Sequence, residues 1–329
     1  MNILTPSLPP VPRVAVIELS STAVKLLIGK DSYSILRQPF SFKLFARQSY
    51  LTYTHRLLDD NLELNADGFA SVVLPEIQKS LALISRFSVD VVEVIATAAY
   101  RKAANRAQIL QLIKHHTGLD TCVLTQEEEA LATFDAFCLS TAYGKQLSAH
   151  PYSLVIDQGG GSTELALYHN RQLLRCDSLN IGSEVLRKSF FNLLYSGDTD
   201  FALSQTSADA HALMQPFIDF CRENVANPED VFTIGLGKSL SHTSGDPKRK
   251  IRHDTIFTVK NLLDDYCNAD IAVRHSNPFL LATEPMLTVR LGLDNYLHLC
   301  RQLGQNRIVH SGTGLWYAIF YQVLNRLAR

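Results

Sequence analysis

The sequence predicts an α/β protein made of two similar halves, and three observations carry that expectation. Apolar runs of strand length alternate with helix-length stretches along the whole chain. A unit of apolar strand, acid, small-residue turn and apolar strand occurs twice, as VAVIELSSTAVKLLIG around Glu18 and as LVIDQGGGSTELALY around Asp157. The length of 329 residues also suits two domains of ordinary size better than one. Laid over each other, Ile17–Thr22 falls on Ile156–Gly161, so each half would present an acid and a turn at the end of its first strand.

The elements follow in order. The proline-broken start MNILTPSLPPVPR lacks a basic n-region and reads as an extended lead-in, not as a signal peptide. RVAVIEL (13–19) is the first strand, SST the turn and AVKLLIG its hairpin partner. A helix at about 68–87, a strand within VDVVEVIATAA, a helix through 101–116, a short strand TCVLT and a helix from 126 follow. The polar stretch STAYGKQLSAHP puts a boundary near 138–150, dividing the chain into domains 1–140 and 141–329. After the second hairpin come RQLLRCDSLN and mostly helical material to about 226, the strand VFTIGLG and a basic loop at 243–254. Helix 286–303, strand RIVHSG and helix LWYAIFYQVLNRL close the chain.

Composition excludes several classes. An apolar content of 46% with 19% charged residues belongs to a globular protein. A net charge of −1 excludes a strongly basic nucleic-acid binder. The six cysteines are far apart and form no C-x-x-C pair, so neither a zinc site nor a disulfide framework is suggested and a reducing cytosol fits best. No uncharged apolar run approaches the ~18 residues of a membrane span. Neither nucleic acid nor membrane is therefore expected as a partner, and the oligomeric state stays open, a homodimer included.

Three stretches carry chemistry. Gly159, Gly160 and Gly161 with Ser162 and Thr163 can aim several backbone N–H groups and two hydroxyls at one anion. Asp157 could hold a divalent cation beside it. The alternative is a tight hairpin requiring φ > 0, but three consecutive glycines exceed that need, which favours phosphate. No Walker A loop occurs, and a strand follows where a dinucleotide fingerprint requires a helix.

In TQEEEALATFDAF (125–137), Thr125 and Glu128 form a capping box and Glu127 meets the helix dipole. Glu129 has no such explanation. Its helical face carries Ala132, Thr133 and Ala136, whereas Leu131, Phe134, Phe137 and Cys138 supply a buried face. A carboxylate beside small residues can orient a water over a cleft, although taken alone Glu129 reads as a solvated acid. In IATAAYRKAANR (95–106), Arg101 and Asn105 share a helical face beyond a strand end, and Arg101 is either a phosphate fork or an ordinary surface arginine. The tandem His115 and His116 read as dipole compensation at a helix end.

Together these stretches resemble the exopolyphosphatase and guanosine pentaphosphate phosphatase family, a branch of the actin, Hsp70 and sugar-kinase superfamily. The family's Asp-x-Gly-Gly-Gly-Ser-Thr-Glu motif is unbroken from Asp157 to Glu164, and its catalytic Glu before Ala falls on Glu129. Its Ala-Thr-x-x-x-Arg-x-x-x-Asn segment falls on Ala96, Thr97, Arg101 and Asn105, with weaker echoes in SLNIGS (178–183) and RIVHSGTGL (307–315). The resemblance implies two ribonuclease-H-like domains with the active site in the cleft between them. It implies magnesium and hydrolysis of a terminal phosphoanhydride of polyphosphate or, as the alternative, of pppGpp. A phosphate- or nucleotide-binding homologue with weak turnover and a small-molecule kinase are the competing readings.

In the roles so implied, Glu129 positions and deprotonates a water while the glycine turn and Arg101 bind the terminal phosphate. Asp157, Glu164 and Glu18 manage the metal. Ser20, Ser21 and Thr22 form the first phosphate turn, and Gly235 and Gly237 with Lys238 form the later one. The chain departs from the family at two points. Glu18-Leu19-Ser20-Ser21-Thr22-Ala23 stands where Asp-x-Gly-Ser-Asn-Ser is usual, and IGLGKSL stands for a Gly-Thr-Gly-Gly-Thr-like turn. The basic run with Lys248, Arg249, Lys250 and Arg252 reads as a solvated loop ahead of a path for a polyanion.

Overall fold

The computed structural model describes residues 11–31, 42–241, 253–276, 281 and 285–327. Lys248, Arg249, Lys250 and Arg252 lie outside these residues, as does the lead-in through residue 10. In chain order the elements are β1 (Arg13–Leu19), β2 (Ala23–Asp31), β3 (Phe42–Leu51), α1 (Ala66–Val72), α2 (Leu74–Arg86), β4 (Val91–Ala96), α3 (Ala98–Lys102), α4 (Arg106–Thr117), β5 (Cys122–Val123), α5 (Gln126–Ser140) and α6 (Gly144–Ala149). Then come β6 (Tyr152–Gln158), β7 (Thr163–His169), β8 (Gln172–Leu179), α7 (Ser183–Leu194), α8 (Thr199–Asn224), β9 (Val231–Gly237), α9 (Lys238–Ser241), β10 (Ile256–Thr258), α10 (Val259–His275), α11 (Pro285–Gln302), β11 (Arg307–His310) and α12 (Leu315–Leu327).

They fold as two compact units, one of residues 1–97, 103–123 and 316–329, the other of 98–102 and 124–315. The packing differs from the expected change-over near 138–150 in that α5 belongs to the second unit and α12 from Trp316 onward to the first, while α6 falls in the second unit as expected. Hydrophobic contact and not chain order decides membership, and the apolar face of α12 is satisfied by the first sheet. Phe320 and Tyr321 sit 5.2 and 5.8 Å from the ring of Phe42 on β3.

In the first unit the strands lie in the order β3-β2-β1-β4-β5, with β1 antiparallel to β2 and parallel to β4. Val14 to Ile17 are completely buried, as an apolar strand covered on both faces requires. The second unit has β10-β11-β9-β6-β7-β8, in which β6, β7 and β8 are antiparallel neighbours and β9 and β11 are parallel additions. Read from β8, its first five strands repeat the order of the first unit, so the duplication seen in one hairpin extends to the whole topology. This is the two-domain, ribonuclease-H-like, actin-type α/β fold.

The period of two along β6 and β7 builds two cores in the second unit. Leu154, Ile156, Leu165 and Leu167 face a cluster that includes Phe190, Phe217, Leu262 and Tyr296 of α7, α8, α10 and α11. Val155, Ala166 and Tyr168 face α5 through Ala130, Phe134 and Phe137, with Phe134 stacked on Tyr168 at 4.1 Å.

Several elements depart from expectation. The helix expected at 68–87 breaks at Val73, because Pro75 in the first turn of α2 has no N–H to continue the ladder of α1. The helix expected through 101–116 is two helices, so Arg101 and Asn105 do not share a face. Asn105 stands at the N-cap position of α4 in a non-helical conformation without a capping bond, and its side chain instead bonds both the N–H and the carbonyl of Leu64. Leu131, expected in the buried face of α5, is 40% exposed, while Ala132, Thr133 and Ala136 are buried. The strands β3 and β10 and the helix α10 are additions that the hydrophobic pattern does not predict, and RQLLRCDSLN contains β8.

Candidate active site

β6 and β7 meet in the turn Gly159–Ser162 at the carboxyl end of β6, where open α/β sheets place their ligands. The turn is anchored through its carbonyls. Gly159 O accepts from the N–H of Ser183, and Gly160 O from the N–H of Glu184, both on the first residues of α7. Gly159 N–H closes the turn on Ser162 O at 2.9 Å. No described hydrogen bond uses the N–H of Gly160 or Gly161, which leaves the donor side of the turn available to an anion. Gly182 makes the anchoring possible, since a Cβ there would sit 2.5 Å from the Gly160 carbonyl and from Gly161 C. Neither Ser178 nor Gly182 stands out in the sequence by itself, although both lie within the SLNIGS echo.

Asp157 and Glu164 stand directly opposite each other across β6 and β7. Glu164 Oε1 accepts from Ser162 Oγ at 2.6 Å and from Ser178 Oγ at 3.0 Å. Its pKa is pushed up to about 7, first by burial and then by the Asp157 charge, with both serine hydroxyls and Arg101 acting in the opposite sense. The two hydroxyls of the turn therefore have different employment. Ser162 serves Glu164, and Thr163, fully buried, donates to Ile181 O at 3.0 Å, which removes it from the expected phosphate donors.

On the same unit, Arg101 of α3 donates from Nη1 to Glu129 Oε2 at 2.9 Å and to Leu124 O at 2.9 Å. The capping box of Thr125 and Glu128 forms as expected and sets the register that presents Glu129 in the first turn of α5. Both side chains are more than four-fifths buried, so the pair is poorly screened compared with a surface ion pair. Arg101 Nη2 is buried without a hydrogen-bond partner among the described residues. Because Arg101 also acts on Glu164, the expected acid, its arginine and the Asp157–Glu164 pair form one electrostatic group.

The later turn divides its roles. Gly235 lies inside β9, where a Cβ would collide with Leu240 and Ile308, and is a packing residue. Gly237 takes φ +121° at the strand end, pressed so close to Gln158 O that a Cβ would overlap it. Lys238 begins α9, and its side chain lies outside the described set. The Tyr296 hydroxyl reaches the carbonyls of both Ile156 and Leu236, tying β6 to β9 one residue ahead of their functional ends.

In the first unit the expected metal and phosphate residues are engaged otherwise. Glu18 is buried and bonded to Lys25 Nζ, and Ser20 turns its hydroxyl back onto its own turn.

The sequence model of the Ppx/GppA phosphatase family matches residues 58–244, more than half of the chain. The chain belongs to the Ppx/GppA phosphatase family. It is thereby a hydrolase of the phosphoanhydride class. Solved structures agree with this membership in fold. The Aquifex aeolicus PPX-GPPA enzyme is 20% identical at a TM-score of 0.67, covering 95% of this chain and 100% of that one. An exopolyphosphatase from Cytophaga hutchinsonii is 14% identical at a TM-score of 0.73, covering 95% and 98%. An exopolyphosphatase-like protein is 18% identical at 0.73, covering 97% and 99%. In this Ppx/GppA chain the eight residues from Asp157 to Glu164 build the anchored turn and the facing carboxylates.

Proposed function

We propose that this Ppx/GppA protein is an exopolyphosphatase that removes the terminal phosphate of inorganic polyphosphate, using a water activated by Glu129. The observation that carries the reading is the Arg101–Glu129 pair at 2.9 Å, in electrostatic reach of Glu164 beside an anchored glycine turn. In this reading the N–H groups of Gly160 and Gly161 hold the terminal phosphate oxygens, and the spare Arg101 Nη2 donor supplies a charge-assisted bond to them. Arg101 Nη1 fixes the Glu129 carboxylate, which takes the proton of the attacking water. Positioning and charge stabilisation account for most of such a phosphoryl transfer, so these groups suffice for the protein's part.

Magnesium fits Asp157 and Glu164. Their hard oxygens face each other across adjacent strands, and their mutual repulsion, which adds to burial in raising the Glu164 pKa, is what a divalent cation would cancel. Among the described residues no group of three or more His, Cys, Asp or Glu could hold a metal unaided. One or two carboxylates completed by water and substrate phosphates is the usual magnesium arrangement. When bound, the ion would neutralise charge on the phosphate chain and its leaving group. Glu18 is not among these ligands.

Six free cysteines support a reducing, cytosolic location. Among the described residues no helix is long and apolar enough to cross a membrane. The test of the activity is phosphate release from long-chain polyphosphate and from pppGpp, with magnesium, by the native protein and by Glu129→Gln. Release from polyphosphate that vanishes in the variant supports the reading. Faster release from pppGpp transfers the activity to the nucleotide, and binding of both without release makes the protein a binder.

A further inference from the structure

The two turns that the duplication relates are closed by the same backbone bond, Ser20 N–H to Ala23 O in the first unit and Gly159 N–H to Ser162 O in the second, but differ in a donor. In the second unit the carbonyls of the turn are anchored and the N–H groups of Gly160 and Gly161 are left to a ligand. In the first unit the N–H of Thr22, the counterpart of Gly161, is taken up by the turn itself. Ser20 Oγ accepts from the N–H of Ala23 at 3.1 Å and from that of Thr22 at 3.4 Å, while Ser20 N–H and Oγ both donate to Ala23 O. The carbonyls are engaged from the other side. Thr22 O accepts from Thr52 and Tyr53, and Ser21 O from the N–H of His55. A glycine at position 20 would keep the backbone closure onto Ala23 O and lose the hydroxyl's bonds to Thr22 and Ala23.

The acid is engaged through one oxygen, Oε1, while Oε2 is buried without a hydrogen-bond partner among the described residues. Glu18 and Lys25 are register partners across β1 and β2, with Nζ 2.5 Å from Oε1. Glu18 is 3% exposed. Lys25 also lies 5.9 Å from the centre of the Trp316 ring, and Arg47 lies 5.2 Å from the same ring. A divalent cation on Glu18 would have to share a buried carboxylate with an ammonium already in contact with it, and like charges at such separations repel by several kcal/mol even at an effective dielectric of about 20.

We propose that Lys25 is a built-in counter-ion that takes the place of a metal at the first turn. Glu18 is held as a structural carboxylate by this ion pair. The proposal rests on the metal reading of Asp157 and Glu164 only for its comparison arm.

The test has two readouts, neither of which needs substrate. Calorimetric titration of Mn2+ into the native full chain, Glu18→Gln and Asp157→Asn is expected to give the same affinity within about two-fold for the first two, and a loss of ten-fold or more for the third. A thermal-unfolding cycle of Glu18→Gln, Lys25→Met and the double variant is expected to show coupling, the double variant losing clearly less than its two singles together. A ten-fold loss of Mn2+ affinity in Glu18→Gln, or strictly additive losses in the cycle, would overturn the proposal. If the native chain binds no Mn2+, the metal reading of Asp157 and Glu164 fails and the thermal cycle alone decides the fate of the ion pair. Should Glu18→Gln not fold, Glu18→Asp, which keeps the charge and shortens the reach, takes its place in both arms with the same two criteria.

Discussion

Arg101 and Glu129, 28 residues apart and on different helices, share a hydrogen-bonded ion pair at 2.9 Å. Each determines what the other can do: the guanidinium fixes the carboxylate's orientation, and the carboxylate aims the fork. Glu129→Gln keeps the shape and removes the base, so phosphate release is expected to fall by a factor of about 10² to 10⁴ with little change in KM. Arg101→Lys keeps the charge but loses the planar fork, and release should fall at least ten-fold. Steady-state assays on polyphosphate read both, and an unchanged turnover in Glu129→Gln would remove it from the role of base.

Gly182 permits the close approach of α7 to the glycine turn. Gly182→Ala would place a methyl 2.5 Å from the Gly160 carbonyl carbon and oxygen. The turn must shift, at a cost of about 1–3 kcal/mol in stability. Its displaced N–H groups are expected to weaken phosphate binding ten-fold or more. Calorimetry with pyrophosphate reads the second effect, and an unchanged affinity would show that the turn does not carry it.

The Thr125 cap holds the start of α5, three residues ahead of Glu128 and four ahead of Glu129. Thr125→Ala is expected to cost about 1 kcal/mol. Turnover should fall with it, since the first turn that carries Glu129 frays. Thr125→Ser keeps the capping oxygen and should restore both, which denaturant unfolding and assay together can decide.

His298 on α11 stacks on His211 at 3.7 Å, and His211 Nε2 lies 2.9 Å from Asp294 Oδ2. Burial, and after it the neighbouring His211, pushes the His298 pKa down from 6.5 to about 4; Asp294 opposes this, and Arg222 and Arg301 add to it. A histidine lower in the folded state than in the unfolded chain leaves the unfolded chain with more protons between those values. Its stabilising effect is complete above about pH 6.5 and is lost as the pH falls toward 4. Thermal unfolding of His298→Leu should be less sensitive to pH between 6.5 and 5 than that of the native chain, and parallel curves would exclude the effect.

Much of the site is legible in the sequence because its chemistry is local. Asp157 to Glu164 is a contiguous hairpin, and the Thr125–Glu128 box is a four-residue signal, so spacing alone reveals both. The elements that escape such a reading are those whose reason lies elsewhere in the chain. β3 is an edge strand with Lys43, Arg47, Gln48 and Ser49 exposed, so it shows no clean alternation. Arg101 and Asn105 look like neighbours on a helix because nothing in 101–116 reveals that Asn105 is needed by Leu64. Ser20 looks like a weakened phosphate ligand, and only its bond back to Ala23 shows that it closes the turn. The membership of α12 is hidden for the same reason, since an apolar helix does not state which sheet it covers.

That last helix has a consequence for biosynthesis. Residues 316–327 belong to the first unit, with Phe320 lying against Gly29 of β2 and Arg326 reaching Glu93 of β4 at 2.7 Å. A ribosome working through this chain completes every residue of the second unit before it reaches them. The unit begun first is finished second, and until residue 327 has been made its nascent sheet waits with an apolar face uncovered, the condition under which a translating chain depends on chaperones.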